Sequence, residues 1–247
     1  MKPVIVFNFS GAYERQDFYK TIPCKWVDLT DLTGVCGYCD GEALLAIEER
    51  AGESPQGVHF IDGGNYHYVS YAMARQQKEP FTLVVFDHHT DMVPPNFEGL
   101  LSCGCWVKRA LEDTEELKEV ILIGVADELS ETIEPGLRDR VTLYTESMLT
   151  DNSWLSHLAG CLKRPVYLSI DKDVLSKEAA ITDWDQGSMT LEQLIEAVRL
   201  IKDRVPILGA DVCGEYDGRG EALPGTENGD EKNNSANKRL LNLLSGE

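Results

Sequence analysis

Two acidic motifs, each placed directly after an apolar strand-like run, constrain this chain more than any other feature. The run Phe81–Phe86 leads into Asp87-His88-His89-Thr90-Asp91, and the run Val166–Ile170 leads into Asp171-Lys172-Asp173. Alternate residues of extended backbone point the same way, so the acidic and histidine side chains of each motif can converge beyond the end of their strand. If the two strands are parallel and share one edge of a sheet, five ligands reach a single crevice.

The rest of the chain has the pattern of an α/β protein. Short, continuously apolar runs predict buried parallel strands. These runs are Val4–Phe7, Val58–Ile61, Phe81–Phe86, Val120–Ile123, Val141–Leu143, Pro165–Ile170 and Pro206–Ala210. Helix-length segments with apolar residues at i, i+3 and i+4 lie between them, which predicts a βαβ sheet covered on both faces within one domain, residues 1–247. Near the end of the chain, the polar stretch Asp217–Asn234 predicts a loop and Ser235–Leu244 a terminal helix.

Charge and composition exclude several classes of partner. The chain carries 23 Lys and Arg against 42 Asp and Glu, a formal net charge of −19, which excludes a nucleic acid or an anionic membrane and favours a cation or a cationic substrate. No apolar run reaches the roughly 18 residues of a membrane span, and no cleavage site precedes the first strand, so we expect a cytoplasmic protein. Seven scattered cysteines, an odd number, do not predict a disulfide framework.

A glycine turn supplies one more candidate ligand. Gly63-Gly64-Asn65-Tyr66-His67 follows a predicted strand, so His67 joins the two motifs and the set becomes two His and four Asp. Oxygen-rich ligation with imidazole suits Mn²⁺ or a similar divalent ion. Two such cations cancel the charge of four carboxylates, and Asp87 and Asp171 could bridge them at roughly 3.5–4 Å. The chemistry expected of this arrangement is attack by a metal-bridged hydroxide.

The motifs resemble those of the arginase, agmatinase and formimidoylglutamase group, the ureohydrolases. That family carries Gly-Gly-Asp-His-Ser, Asp-Ala-His-x-Asp and Ser-x-Asp-x-Asp; Asp87–Asp91 matches the second motif and Ser169–Asp173 the third. The resemblance runs from about Val58 to the terminal helix. It implies a three-layer α/β/α fold with a central, mostly parallel sheet of about eight strands. It also implies hydrolysis of a non-peptide C–N bond in a linear amidine or guanidine, and homo-oligomers are common in the group.

The resemblance also assigns roles to the ligands. Asp87 and Asp171 would bridge two Mn²⁺ ions, and His89 with Asp173 would complete one site. Asp91 and a glycine-loop histidine would complete the other, with Asp91 accepting a hydrogen bond from the bridging hydroxide.

The first motif departs from the family pattern, since Asn65 and Tyr66 occupy the positions of its Asp and His. His67 becomes a ligand if the loop carries one extra residue. Otherwise one site is weakened and the protein holds a single ion, so the alternative between His67 and Tyr66 stays open at this point.

Residues on the substrate side depart further. The family places a guanidinium-binding carboxylate three residues after a strand-end Asp, where this chain has Gly214, and Glu215 takes the role if the chain is shifted by one residue. Trp184 and Asp185 lie in the loop that borders the metals in the family, and they are the predicted substrate contacts. Arginases carry a loop histidine that shuttles protons, and none lies between Asp91 and Leu111.

The leading hypothesis is therefore a binuclear-metal hydrolase that acts on a small cationic or amidine-containing substrate. One alternative is a zinc-dependent deacetylase-like amide hydrolase, a group that resembles arginases in fold but needs a pair of catalytic histidines. Another is an arginase-like protein that binds metal without catalysis, which the displaced glutamate and missing shuttle favour.

Overall fold

An eight-stranded parallel sheet forms the centre of the molecule in a computed structural model that describes residues 2–95, 97, 99–217 and 228–246. Two further short strands pair antiparallel beside it. In chain order the strands are β1 (Val4–Asn8), β2 (Lys25–Asp28), β3 (Tyr38–Cys39), β4 (Val58–Gly63), β5 (Phe81–Phe86), β6 (Leu101–Ser102), β7 (Leu117–Val125), β8 (Val141–Thr145), β9 (Val166–Asp171) and β10 (Ile207–Glu215).

The order of strands brings the two acidic motifs together. The sheet runs β2-β1-β4-β10-β9-β5-β7-β8, and every neighbouring pair is parallel. Strands β5 and β9 are therefore direct neighbours, as the two motifs require. Their last paired residues are Phe86 and Ile170, so Asp87 and Asp171 leave the sheet side by side at its carboxyl edge.

Helices cover both faces of the sheet and make a separate apolar core with each. The helices are α1 (Gly41–Ala51), α2 (Val69–Ala74), α3 (Trp106–Asp113), α4 (Ser153–Cys161), α5 (Leu191–Arg204) and α6 (Gly229–Ser245). The first three pack on one face and the last three on the other. This confirms the three-layer α/β/α architecture. Among the described residues, no helix combines the length and the apolar character needed to cross a bilayer.

Several boundaries differ from the sequence prediction. Strand β2 is absent from it, because this edge strand is short and largely exposed and so lacks a continuous apolar run. Strand β10 continues five residues past the predicted end at Ala210, through Asp211 to Glu215. Helix α6 begins at Gly229, so the later part of the predicted loop Asp217–Asn234 is helical, while residues 218–227 lie outside the described part of the chain.

A buried ion pair joins the end of β10 to the turn after β9. The ammonium of Lys172 donates to Oε1 of Glu215, and both side chains are at most 1% exposed. Asn237 of α6 donates to the same carboxylate at 2.7 Å, and Gln16 donates to its other oxygen at 2.6 Å. This network fixes helix α6 and the amino-terminal loop against the carboxyl edge of the sheet, because a buried charge is tolerated only when it is paired and hydrogen-bonded.

We expect Lys172→Met to lower the free energy of unfolding of the metal-free protein by about 3–5 kcal/mol, because it leaves Glu215 buried without a counter-charge. The double variant Lys172→Met with Glu215→Gln should recover most of this loss. Urea denaturation followed by circular dichroism measures both. Lys238→Met, which removes the exposed partner of Asp17, is the control and should not move the midpoint. Equal stability of the wild type and Lys172→Met would contradict a structural role for the pair.

Candidate metal centre

Three carboxylates surround one ring nitrogen of His67 at the carboxyl edge of the sheet. Nδ1 of His67 lies 3.2 Å from Oδ2 of Asp87, 3.1 Å from Oδ2 of Asp91 and 3.5 Å from Oδ2 of Asp171. All four residues are buried. One histidine and three carboxylates from three different chain segments therefore converge on a single point.

The loop after β4 explains why His67, and not Tyr66, reaches this point. Residues Gly64–Tyr66 form a single 3-10 turn, closed by the amide of His67 donating to the carbonyl of Gly64 at 3.0 Å. Tyr66 is turned away and stacks on Phe9, with ring centroids 4.1 Å apart. A larger residue would crowd the site, since a Cβ at position 64 would lie 3.1 Å from Oδ2 of Asp171. The extra residue in the loop thus brings His67 into the cluster.

The other ring nitrogen of His67, Nε2, lies within hydrogen-bonding distance of a serine hydroxyl. Nε2 lies 2.8 Å from Oγ of Ser169, which in turn lies 3.2 Å from Oγ of Ser70. When Nε2–H donates to this hydroxyl, Nδ1 is the nitrogen that can bind a cation. Histidine ligands are commonly oriented by such a second hydrogen bond.

A second cluster shares Asp87 with the first. Nδ1 of His89 lies 2.9 Å from Oδ2 of Asp173 and 3.4 Å from Oδ1 of Asp87. Asp87 therefore turns one oxygen toward His67 and the other toward His89. Two groups with metal-ligand spacing, one built on each histidine, meet at this carboxylate.

The electrostatics of the two clusters favour cations. Burial and the neighbouring carboxylates of Asp173 and Asp87 raise the pKa of Asp171 to about 7. Burial and Asp87 likewise raise the pKa of Asp173 to about 6. Burial opposes the charge of His89, but hydrogen bonds to Asp173 and Asp87 prevail and raise its pKa to about 11. The carboxylates repel one another unless positive charge lies among them, and a donor set of carboxylate oxygens and imidazole nitrogens fits divalent cations of the Mn²⁺ type.

Asp91 is held by an indole. Nε1 of Trp106, the first residue of α3, donates to its Oδ2 at 2.6 Å, and the Trp106 ring packs against His67 with centroids 4.8 Å apart. The backbone of Asp91 has a φ of 51°, in the left-handed region that few non-glycine residues adopt. Strain of this kind, held in place by a buried hydrogen bond, is typical of functional sites.

A cavity of about 210 Å³ opens above the two clusters. Apart from the six predicted ligands, its described lining is two glycines and neutral side chains: Thr90, Val93, Cys103, Leu129, Thr132 and Trp184. The ring of Trp184 stands edge-on to His89, with centroids 5.6 Å apart. Trp184 is 42% exposed, so it can contact a small molecule that enters from solvent.

Two predicted site residues do not reach the cavity. Asp185 is exposed and is not among the residues that line it. Glu215 is also absent from the lining, because it is paired with Lys172. Gly214, at the position of the family's carboxylate, has a φ of +86°, and a Cβ there would lie 2.3 Å from Oδ1 of Asp171. No side chain fits at position 214 without displacing a predicted ligand.

Sequence reasoning missed three residues that contact the ligands. Trp106 and Ser169 hold Asp91 and His67, and Cys213 lies against Asp171. Ser169 belongs to the third motif, so its position two residues before Asp171 could have identified it. Trp106 comes fifteen residues after Asp91, and only the tertiary fold joins them. Cys213 is two residues beyond Asp211 on a strand that was predicted to end earlier.

Most of the chain matches the model of one protein family. Residues 12–216 match the model of the arginase family. An uncharacterized protein of Thermotoga maritima is 36% identical over 212 residues, 86% of this chain and 79% of its own length.

A second relative and a solved structure extend the comparison. The N(1)-aminopropylagmatine ureohydrolase of a Synechocystis strain is 29% identical over 139 residues, 55% of this chain and 42% of the relative. The proclavaminate amidino hydrolase of Streptomyces clavuligerus shares the fold, with a TM-score of 0.71, 15% identity, and coverage of 99% of this chain and 91% of that structure. With a family model matched across most of its length and both acidic motifs in place, the chain belongs to the arginase family.

Proposed function

We propose that this protein hydrolyses a C–N bond of a linear amidine or guanidine with the help of two divalent cations. The observation that carries the proposal is the position of Asp87, which turns one carboxylate oxygen to the His67 cluster and the other to the His89 cluster. Binuclear hydrolases use such a shared carboxylate to hold two ions close together.

The ligands fall into two sets that fit the two ions. His67, Asp91 and Asp171 would hold one ion and His89 and Asp173 the other, with Asp87 common to both; the family resemblance adds Asp171 as a second shared ligand. Mn²⁺ is the expected ion, given the excess of oxygen ligands. When bound, a pair of divalent ions lowers the pKa of water and stabilises negative charge that develops on a trigonal carbon's substituents.

Asp91 is the residue that we assign to orienting the attacking water. Its Oδ2 is occupied by Nε1–H of Trp106 and faces His67, so the direction of the carboxylate is fixed before a substrate arrives. A carboxylate held in this way can accept a proton of the water and keep its lone pair directed at the substrate carbon.

We assign the substrate to the cavity above the clusters. The exposed ring of Trp184 can contact a planar amidine, and the hydroxyls of Thr90 and Thr132, 2.6 Å apart, line the same cavity and can accept hydrogen bonds from the amidine. Glu215 has no part in this proposal, because Lys172 neutralises it away from the cavity. The name of the Synechocystis relative, a ureohydrolase of an agmatine derivative, supports a guanidino group as substrate.

The deacetylase alternative gains no support from the geometry. It needs two histidines that are free for proton transfer beside one metal. Among the described residues that line the cavity, His67 and His89 are the histidines, and each belongs to a ligand cluster.

We expect the wild-type protein, stripped by a chelator and dialysed against Mn²⁺, to retain two ions per chain. The Asp87→Asn variant should retain less than one Mn²⁺ ion per chain, because residue 87 serves both clusters. The affinity of this variant for Mn²⁺ should fall by more than the roughly 10–100-fold that follows loss of an outer-shell partner. Elemental analysis after dialysis gives both numbers. Asp203→Asn, an exposed change on α5, should retain two ions. Identical metal content in Asp87→Asn and the wild type would overturn the shared-ligand assignment.

The activity test uses arginine, agmatine, guanidinobutyrate and formiminoglutamate, with release of urea or formamide as the readout. We expect turnover of at least one guanidine or amidine by the metal-loaded protein and none after chelation. Asp91→Asn should lower kcat by about 10²–10⁴-fold, the range for loss of a general base, while the protein stays folded. Full metal loading without turnover of any of these compounds would instead favour a metal-binding protein without this catalysis.

The neutral walls of the cavity predict a preference within guanidines. Pentylguanidine and agmatine have the same chain length and differ in ending in a methyl or an ammonium group. We expect a kcat/KM at least about tenfold higher for pentylguanidine, since the described walls offer no counter-charge to the ammonium, and tenfold corresponds to about 1.4 kcal/mol. Leu129→Asp should narrow this gap and Leu129→Asn should not. A faster reaction of agmatine with the wild type would show that the distal group binds elsewhere.

A further inference from the structure

A thiol lies at the floor of the His67 cluster. Cys213 is on β10, directly opposite Asp171 in the register of the parallel pair β9 and β10. Side chains at paired positions project from the same face of a sheet and contact one another. The Cys213 side chain is fully buried, and its Sγ lies 3.0 Å from Oδ2 of Asp171.

The oxygen that the thiol contacts is one of the atoms expected to bind an ion. Oδ2 of Asp171 also faces Nδ1 of His67, at 3.5 Å. One donor atom from each of His67, Asp171 and Cys213 lies within 4.8 Å of the other two, which is the spacing of ligands around a common cation. This sulfur belongs to no set that the sequence motifs define.

A simpler role for Cys213 is to donate a weak hydrogen bond to Asp171. At 3.0 Å from Oδ2, the sulfur can act either as this donor or, without its proton, as a ligand of an ion held at the same oxygen. Cysteine binds metal ions as the thiolate, and the ion itself displaces the thiol proton as the sulfur–metal bond forms.

We propose that Cys213 coordinates the ion on the His67 side as a thiolate and makes that position prefer Zn²⁺ or Co²⁺ to Mn²⁺. In this reaction the S–H bond breaks, a sulfur–metal bond forms, and one proton leaves to solvent. The inference rests on the proposed metal centre and refines it. Soft sulfur ligands select zinc-like ions, whereas the His89 cluster has only oxygen and nitrogen donors and suits Mn²⁺. The two positions then differ in the metal they prefer.

Cobalt provides the direct test, since a thiolate bound to Co²⁺ gives a charge-transfer band in the near ultraviolet. The metal-free full chain is titrated with Co²⁺ as wild type, Cys213→Ser and Cys103→Ser. Cys103 is the matched control, because it lines the same cavity but lies outside the three-residue group. We expect the band in the wild type and Cys103→Ser and its loss in Cys213→Ser. A band of equal strength in Cys213→Ser would overturn the proposal.

Metal preference gives a second readout that does not depend on catalysis. In competition between Zn²⁺ and Mn²⁺, we expect the preference for Zn²⁺ at one position to fall at least about tenfold in Cys213→Ser. Cys103→Ser should match the wild type. An unchanged preference in Cys213→Ser would count against thiolate ligation.

Two outcomes separate this inference from the proposed function. Binding of Co²⁺ without a thiolate band would overturn the role of Cys213 and leave the oxygen and nitrogen centre standing, whereas failure to bind any divalent ion would overturn both. If Cys213→Ser and Cys213→Ala do not fold, X-ray absorption of the zinc-loaded Cys103→Ser protein decides the question. A sulfur neighbour at about 2.3 Å supports the proposal and its absence overturns it.

Discussion

Mutual repulsion among buried carboxylates is the constraint on which the rest of this structure depends. Asp87, Asp91, Asp171 and Asp173 lie in one crevice, and each is at most 7% exposed. Four ionised carboxylates at this distance are unfavourable unless positive charge lies among them, since burial and like charge both oppose the ionisation of each one. In the absence of metal, protonated imidazoles of His67 and His89 can supply that charge, whereas divalent cations would replace their protons and bind the neutral rings. The surrounding hydrogen bonds hold this otherwise unfavourable arrangement in place.

Two charge systems lie back to back at the carboxyl edge of the sheet. On one side, Asp171 and Asp173 face the histidines. On the other, Lys172, the residue between them, reaches Glu215 and, through Asn237, helix α6. Successive side chains of the short turn after β9 point in alternate directions, so the three residues Asp171, Lys172 and Asp173 contribute to both systems. The position of the ligands is thus coupled to the packing of the last helix.

Much of this arrangement could be predicted from the sequence, and the exceptions have physical causes. Apolar runs identified seven of the eight strands of the main sheet, because buried parallel strands are continuously apolar; the exposed edge strand β2 has no such signal. The motif spacing identified the carboxylates and His89 that meet at the edge of the sheet, whereas the loop insertion that brings in His67 could not be decided without coordinates, and Cys213 of the group with His67 and Asp171 was missed. The burial of Glu215 against Lys172 was not predictable, because it depends on the positive φ of Gly214 and on a helix that follows later in the chain.

The His89 cluster can form only after β9 has paired beside β5. His89 and Asp173 are 84 residues apart in sequence, and they meet only after β9 has paired beside β5. Contacts between such distant segments form late, because the intervening chain must lose its freedom first. The unfolded chain therefore presents no preformed crevice, and a cation that binds the completed centre stabilises only the folded state. If the centre binds cations as proposed, they would bind after β9 has paired beside β5 and would add their binding free energy to the stability of the folded sheet.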